Sequence, residues 1–276
     1  MRGNKPSTTI RRHSRIVRVT HWINVLCFLV LLLSGLQIFN AHPALYWGQI
    51  SNFEAPVFAM TARRQGGDLV GETKLFDRAW NTTGWLGASK SDGLVEARGF
   101  PSWATLPSYQ DLATGRRWHF FFAWLFVINT SIYLVSTMLG RHFWRDLLPS
   151  GSDLRRIGRS VWDHVRLRFP EGDEARRYNV LQKLSYLAVA FILFPLAILT
   201  GLTMSPGMNA VVPELLTLFG GRQSARTIHF LAASALVIFV IVHLVMVVLS
   251  GPWNNLRSMI TGSYVIRGGG SHEREA

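Results

Sequence analysis

The sequence predicts an all-α integral membrane protein, a bundle of four transmembrane helices. Two observations carry this. Of 276 residues, 49% are hydrophobic and only 16% charged, and the apolar residues gather into long separate runs instead of spreading through a soluble core. Four runs, at residues 19–39, 118–139, 184–204 and 227–249, contain no Asp, Glu, Lys or Arg. Each matches the roughly 20 residues needed to cross about 30 Å of hydrocarbon.

The first run follows a basic segment, as a secretory signal would. Its apolar part exceeds the roughly 7–15 residues of a signal core and shows no small-residue cleavage site, so it is read as a retained helix. The third run contains Pro195, which predicts a kink. The fourth, "RTIHFLAASALVIFVIVHLVMVVLS", carries His229 and His243 into the bilayer. Ionisable groups at membrane depth are costly and face a bundle interior or cavity.

The net charge of +13 lies beside the spans, which points to lipid contact and not to nucleic acid. Arg2, Lys5, Arg11, Arg12, Arg15 and Arg18 precede the first run without an acid, and residues 141–179 form a basic loop rich in arginine. The positive-inside rule therefore predicts that this loop and both termini are cytoplasmic. Within the loop, "SVWDHVRLRF" reads as an amphipathic segment on anionic lipid. Residues 41–114 mix both signs in near balance and are predicted to be a periplasmic loop. It contains many aromatics and turn signals such as "QGGD", and is expected to fold over the outer end of the bundle and face a partner. The tail "YVIRGGGSHEREA" reads as a flexible end.

One cysteine, Cys27, excludes an internal disulfide, a cluster held by this chain alone and covalent haem attachment. Cys27 is expected to be a packing residue.

His229 and His243 stand fourteen positions apart, just under four helical turns, so they share a face at about 21 Å along the axis. One metal cannot bridge that distance. Two planar cofactors can, each taking one imidazole from this helix and one from elsewhere, with histidine as the ligand to haem iron. Depth then selects the second ligands: His21 for His243 on the inner side, His119 for His229 on the outer side. The expected cofactors are two non-covalent b haems stacked across the membrane. The competing reading is unliganded polar glue between helices.

Arginines precede three of these histidines by three residues: Arg18 in "RVTH", Arg116 in "RRWH" and Arg226 in "RTIH". Such neighbours on a helix can hold a haem propionate, or can simply snorkel to the interface. Gly35 follows His21 by fourteen positions and leaves room for a porphyrin edge, as Gly201 does on the third helix; helix packing is the alternative for both. His142 competes with His21 as an inner ligand. His13, His42, His164 and His272 lie outside the runs, and His42 can mark a partner contact.

"RVTHWINVLCFLVLLLSGLQIF", "GRRWHFFFAWLFVIN" and "RTIHFLAASALVIFVIVHLV" together resemble the di-haem cytochrome b subunits of bacterial nickel-iron hydrogenases, formate dehydrogenases and thiosulfate reductases. That family takes one histidine from helix one, one from helix two and two from helix four, which maps to His21, His119, His229 and His243. It differs from the respiratory bc-type arrangement, in which two helices carry histidine pairs; here the residue fourteen beyond His119 is Tyr133. The resemblance implies a single cytochrome b domain over residues 1–276 in the bacterial inner membrane. Its role would be to pass electrons between a periplasmic oxidoreductase partner and the quinone pool, as a subunit and not as the substrate-converting enzyme. Quinone is expected near His21 and His243, with Asn24 and Ser136 as candidate polar contacts. The enlarged loop is most similar to members that accompany periplasmic molybdenum enzymes. Two other readings stay open: a self-contained quinone-linked haem oxidase of a small diffusible reductant, and a haem-free membrane anchor or transporter.

Overall fold

The computed structural model describes residues 7–91, 93–140, 148–151, 155, 157, 158, 160, 162, 166 and 180–267. Four helical stretches are long and apolar enough to cross a membrane: Arg15–Asn40, Leu112–Leu139, Val180–Thr203 and Arg222–Leu249. We label the helices α1 (Arg15–Asn40), α2 (Leu112–Leu139), α3 (Val180–Ala188), α4 (Phe194–Thr203), α5 (Pro206–Val211), α6 (Glu214–Leu218), α7 (Arg222–Leu249) and α8 (Pro252–Thr261).

The third span is not one regular helix. Between α3 and α4 lies a wider π-helical turn, Val189–Leu193, just before Pro195. Proline cannot donate to the carbonyl four residues back and its ring crowds that turn, so the backbone widens there.

Side chains on the spans sort opposite to a water-soluble core. Leu29, Ile132 and Ile241 are each more than half exposed, whereas Ser34 and Thr200 are fully buried and Thr130 and Thr203 nearly so. Lipid tails are as apolar as leucine, so the faces turned to other helices are selected for small and hydroxyl residues that pack closely.

The prediction of an all-α fold needs correction, because eight β-strands are present among the described residues. In the first connection, β2 (Ala44–Leu45), β3 (Phe58–Gln65), β4 (Asp68–Leu75) and β5 (Arg78–Asn81) form an antiparallel sheet in that order. β6 (Gly87–Ser91) and β7 (Leu94–Arg98) form a second. Local chemistry explains the first hairpin. Gln65 pairs with Asp68, and the two residues between them, Gly66 and Gly67, have φ of 61° and 95°, the left-handed pair that a tight hairpin turn requires. Arg63 and Glu72 pair as ions across β3 and β4.

The ends are also strands. β1 (Ser7–Arg11) pairs antiparallel with β8 (Ser263–Arg267) in register from Ser7↔Arg267 to Arg11↔Ser263. The first four residues of the predicted flexible tail, Tyr264, Val265, Ile266 and Arg267, are therefore ordered by a strand from the opposite end of the sequence. The amphipathic reading of "SVWDHVRLRF", most of the basic 141–179 loop, His142, His164 and His272 fall outside the described residues.

The chain divides into two compact units. One comprises Met1–Trp22, Thr130–Phe194 and Leu236–Ala276, and the other Ile23–Asn129 and Pro195–Ala235. The first holds the paired termini; the second holds the two-sheet connection.

Candidate functional site

Each unit contains one pair of histidines. In the unit with the connecting sheets, the rings of His119 on α2 and His229 on α7 have centroids 6.3 Å apart at an interplanar angle of 68°. In the unit with the termini, His21 on α1 and His243 on α7 stand 6.4 Å apart at 64°. The first is here called the loop-side pair and the second the terminus-side pair. The four histidines singled out by spacing thus come together two by two, in the partnership that depth predicted.

These separations can be tested against a bound metal. Two metal–imidazole bonds of about 2 Å, with roughly 1 Å more from each nitrogen to its ring centre, put the centroids about 6 Å apart. Both pairs fit. Among the described residues no group of three or more His, Cys, Asp or Glu gathers as a metal site. A donor set of two opposed imidazoles suits a metal that brings its other ligands with it, as haem iron does.

Around the loop-side pair, α1 and α4 each contribute a contact. Ser34 Oγ lies 3.1 Å from His119 Nδ1, and Thr200 Oγ1 lies 3.1 Å from His229 Nδ1. The Ala197 carbonyl lies 3.0 Å from His229 Nδ1. Gly35 faces His119 and Gly201 faces His229, each so closely that an added Cβ would stand 3.3 Å from the ring Cε1. The Phe230 ring lies tilted against Phe39 at 4.8 Å and against Phe58 at 5.9 Å. Ser34 and Thr200 escaped sequence reasoning, because single hydroxyls in an apolar run read as packing. Their signal was the matching tetrapeptides "LSGL" and "LTGL".

The connection is clasped to the turn that precedes His229. Arg226 donates to the carbonyls of Ala44 (2.9 Å) and His42, the Thr227 hydroxyl donates to the Tyr46 carbonyl at 2.7 Å, and Gly48 N–H donates to Ser224 Oγ at 2.8 Å. Asn40, at the end of α1, bonds twice to Phe100: it accepts from the N–H at 2.6 Å and donates to the carbonyl at 3.1 Å. Arg98 is almost wholly buried, and its guanidinium donates to the carbonyls of Phe100 and Ser108. Its pKa lies below the usual arginine value because burial disfavours its charge, an effect Glu96 partly opposes.

The terminus-side pair has a different setting. Trp22 lies 5.5 Å from His21 at a steep angle, and Phe239 stacks on His243 at 5.8 Å. Neither imidazole has a hydrogen-bond partner among the described residues. Arg18 donates to the Ile260 carbonyl, while its Nε is buried without a partner; a buried donor in that state is unusual and suits a negatively charged group close by. Trp22 Nε1 donates to the Met259 carbonyl at 3.2 Å, tying α1 to α8.

The remaining predicted site residues are placed as follows. Arg116 is exposed, with its guanidinium 5.4 Å from the Phe120 ring centre. Asn24 Oδ1 accepts from Asn129 Nδ2 at 2.7 Å, and Ser136 Oγ donates to the Tyr133 carbonyl at 2.9 Å.

Residues 12–262 match the family described as prokaryotic cytochrome b561. The chain is also 29% identical over 238 residues to the putative protein-methionine-sulfoxide reductase subunit YedZ1 of Azospira oryzae, covering 86% of this chain and 90% of that protein. No solved structure matches it.

Proposed function

The chain belongs to the prokaryotic cytochrome b561 family, and from that premise we propose that it is a di-haem membrane subunit relaying electrons between a periplasmic oxidoreductase and the quinone pool. It is a multi-pass inner-membrane cytochrome b with four apolar spans. The observation that carries the proposal is the pair of matched imidazole separations, 6.3 and 6.4 Å.

His119 and His229 would hold one haem and His21 and His243 the other. Each haem iron would supply a centre that accepts and passes on single electrons. The protein's part is to orient the imidazoles, exclude water and compensate charge. Arg18, with its free Nε, is the propionate partner the structure favours on the terminus side. Arg226 spends donors on the His42 and Ala44 carbonyls, so on the loop side it serves first to anchor the connection, and exposed Arg116 is the freer cation. Gly35 leaves space beside His119.

An oxidoreductase partner is supported by the relative, whose name makes it a putative reductase subunit. A reductase consumes electrons, so flow from quinol towards the partner is the favoured direction. With the basic 141–179 loop and both termini in the cytoplasm, residues 41–114 would face the periplasm and present their aromatic sheets to that partner. Quinone would react at the terminus-side haem.

The test is a pyridine haemochrome count on the purified protein, followed by reduction with a soluble quinol analogue. Two b haems per chain, both reducible by quinol, are expected. One haem per chain would end the relay, and a colourless protein expressed with ample haem would leave the anchor or transporter. Two haems that quinol cannot reduce would remove the quinone link.

A further inference from the structure

Two hydroxyl-glycine dyads occupy equivalent places beside the loop-side ligands. Ser34 and Gly35 lie on α1 against His119 of α2, and Thr200 and Gly201 lie on α4 against His229 of α7. The equivalence extends to atoms. Both hydroxyl oxygens stand 3.1 Å from the facing Nδ1. Each hydroxyl donates at 2.6 Å to the carbonyl one turn back, Val30 for Ser34 and Leu196 for Thr200. An added Cβ on either glycine would stand 3.3 Å from Cε1 and 3.6 Å from Nδ1 of its imidazole. Both hydroxyl side chains are fully buried.

This bonding places a proton. A neutral imidazole has one N–H and one bare nitrogen. Because each hydroxyl hydrogen is committed to a carbonyl, the oxygen faces Nδ1 as an acceptor. For His229 a second acceptor, the Ala197 carbonyl, faces the same nitrogen. A nitrogen that faces only acceptors carries the hydrogen, which leaves the lone pair on Nε2. The glycine, meanwhile, admits the ring edge where a Cβ would crowd it.

We infer that Ser34–Gly35 and Thr200–Gly201 are a duplicated positioning device that holds His119 and His229 in the tautomer with a bare Nε2, at a set rotation, and thereby tunes the reduction potential of the group they ligate. The inference rests on the haem reading above. An acceptor on Nδ1–H makes an imidazole more basic and a stronger donor to the metal. A stronger donor favours the ferric state, so the dyads hold the loop-side potential down. The terminus-side pair has no such hydroxyls among the described residues and serves as the internal control.

The experiment uses the full chain with Thr200→Val, which keeps shape and removes the acceptor; Ser34→Ala, which removes one oxygen; and Thr200→Ser, which restores the hydroxyl. Each is read by haem count, redox titration and the low-spin ferric electron paramagnetic resonance spectrum. Two haems should remain, with one potential raised by about a tenfold change in the ferrous to ferric ratio, equivalent to about 59 mV for one electron. The other potential should stay put, one ferric signal should shift, and Thr200→Ser should return both to wild type. Two retained haems with unchanged potentials and spectra in Ser34→Ala overturn the inference, even if Thr200→Val does not fold. A wild type with fewer than two haems instead overturns the reading on which it rests.

Discussion

The two histidine pairs differ by 0.1 Å in ring separation, 6.3 against 6.4 Å, and by 4° in ring angle, 68° against 64°, yet they are held by different means. Hydroxyls, carbonyls and glycines fix the loop-side rings at Nδ1, and a sheet-bearing connection is bonded to the turn before His229. Among the described residues, the terminus-side rings have aromatic neighbours and no hydrogen bond. The difference teaches that a similar ring separation can be reached by hydrogen-bonded preorganisation or by packing. Only the first route also specifies which nitrogen is bare.

The largest effect expected from this contrast is on occupancy. If each pair holds a haem as proposed, then because the pairs fall in separate compact units, His119→Ala should remove one haem and leave the terminus-side haem with its spectrum intact, while His21→Ala should do the reverse. A haemochrome count falling from two to one in each variant, with different residual spectra, is the expected result. A variant that loses both would show that the pairs are coupled, and the comparison between them would lose its meaning.

A smaller effect should separate the connection from the ligands. Asn40→Ala leaves the Phe100 N–H and carbonyl without their buried partner, and an unmet buried group costs about 1–3 kcal/mol. Limited proteolysis should then cut residues 41–111 faster and the loop-side ferric signal should broaden, with the terminus-side signal unchanged. Equal broadening of both signals would contradict a local role for the clamp.

How much of this was legible in the sequence depended on range. The four spans and the four histidines were readable because each rests on local spacing within an uninterrupted apolar run. Span ends were less so: α1 begins at Arg15 and not at Val19, since backbone hydrogen bonding continues after apolar composition stops. "QGGD" was visible as a turn, but the strands it joins were not, because β3 and β4 carry charge on both strands and mix buried, half-buried and exposed positions, so that no clean alternation survives. The β1–β8 pairing had no local signal at all, since its strands are separated by almost the whole chain. Ser34 and Thr200 were hidden for another reason. Each is unremarkable alone, and only the facing histidine reveals what its oxygen does.

The smallest expected effect is a pH response confined to the loop side. His42 stacks on Tyr46 at 5.6 Å and lies edge-on to Phe53 at 5.7 Å; its Nε2 is buried without a partner, and its carbonyl receives Arg226. Burial, and then the Arg226 charge, hold its pKa below the usual imidazole value of 6.5. A base whose pKa is lowered by folding binds fewer protons in the closed clasp than when released, so the clasp is whole above that usual value and weakens as pH falls towards the lowered one. Hydrogen exchange of residues 42–48, corrected for intrinsic rates, should therefore speed up between about pH 7.5 and about pH 5.5. His42→Phe, which keeps the stacking and cannot protonate, should make the response flat. An unchanged response in that variant would place the titrating group at a residue other than His42.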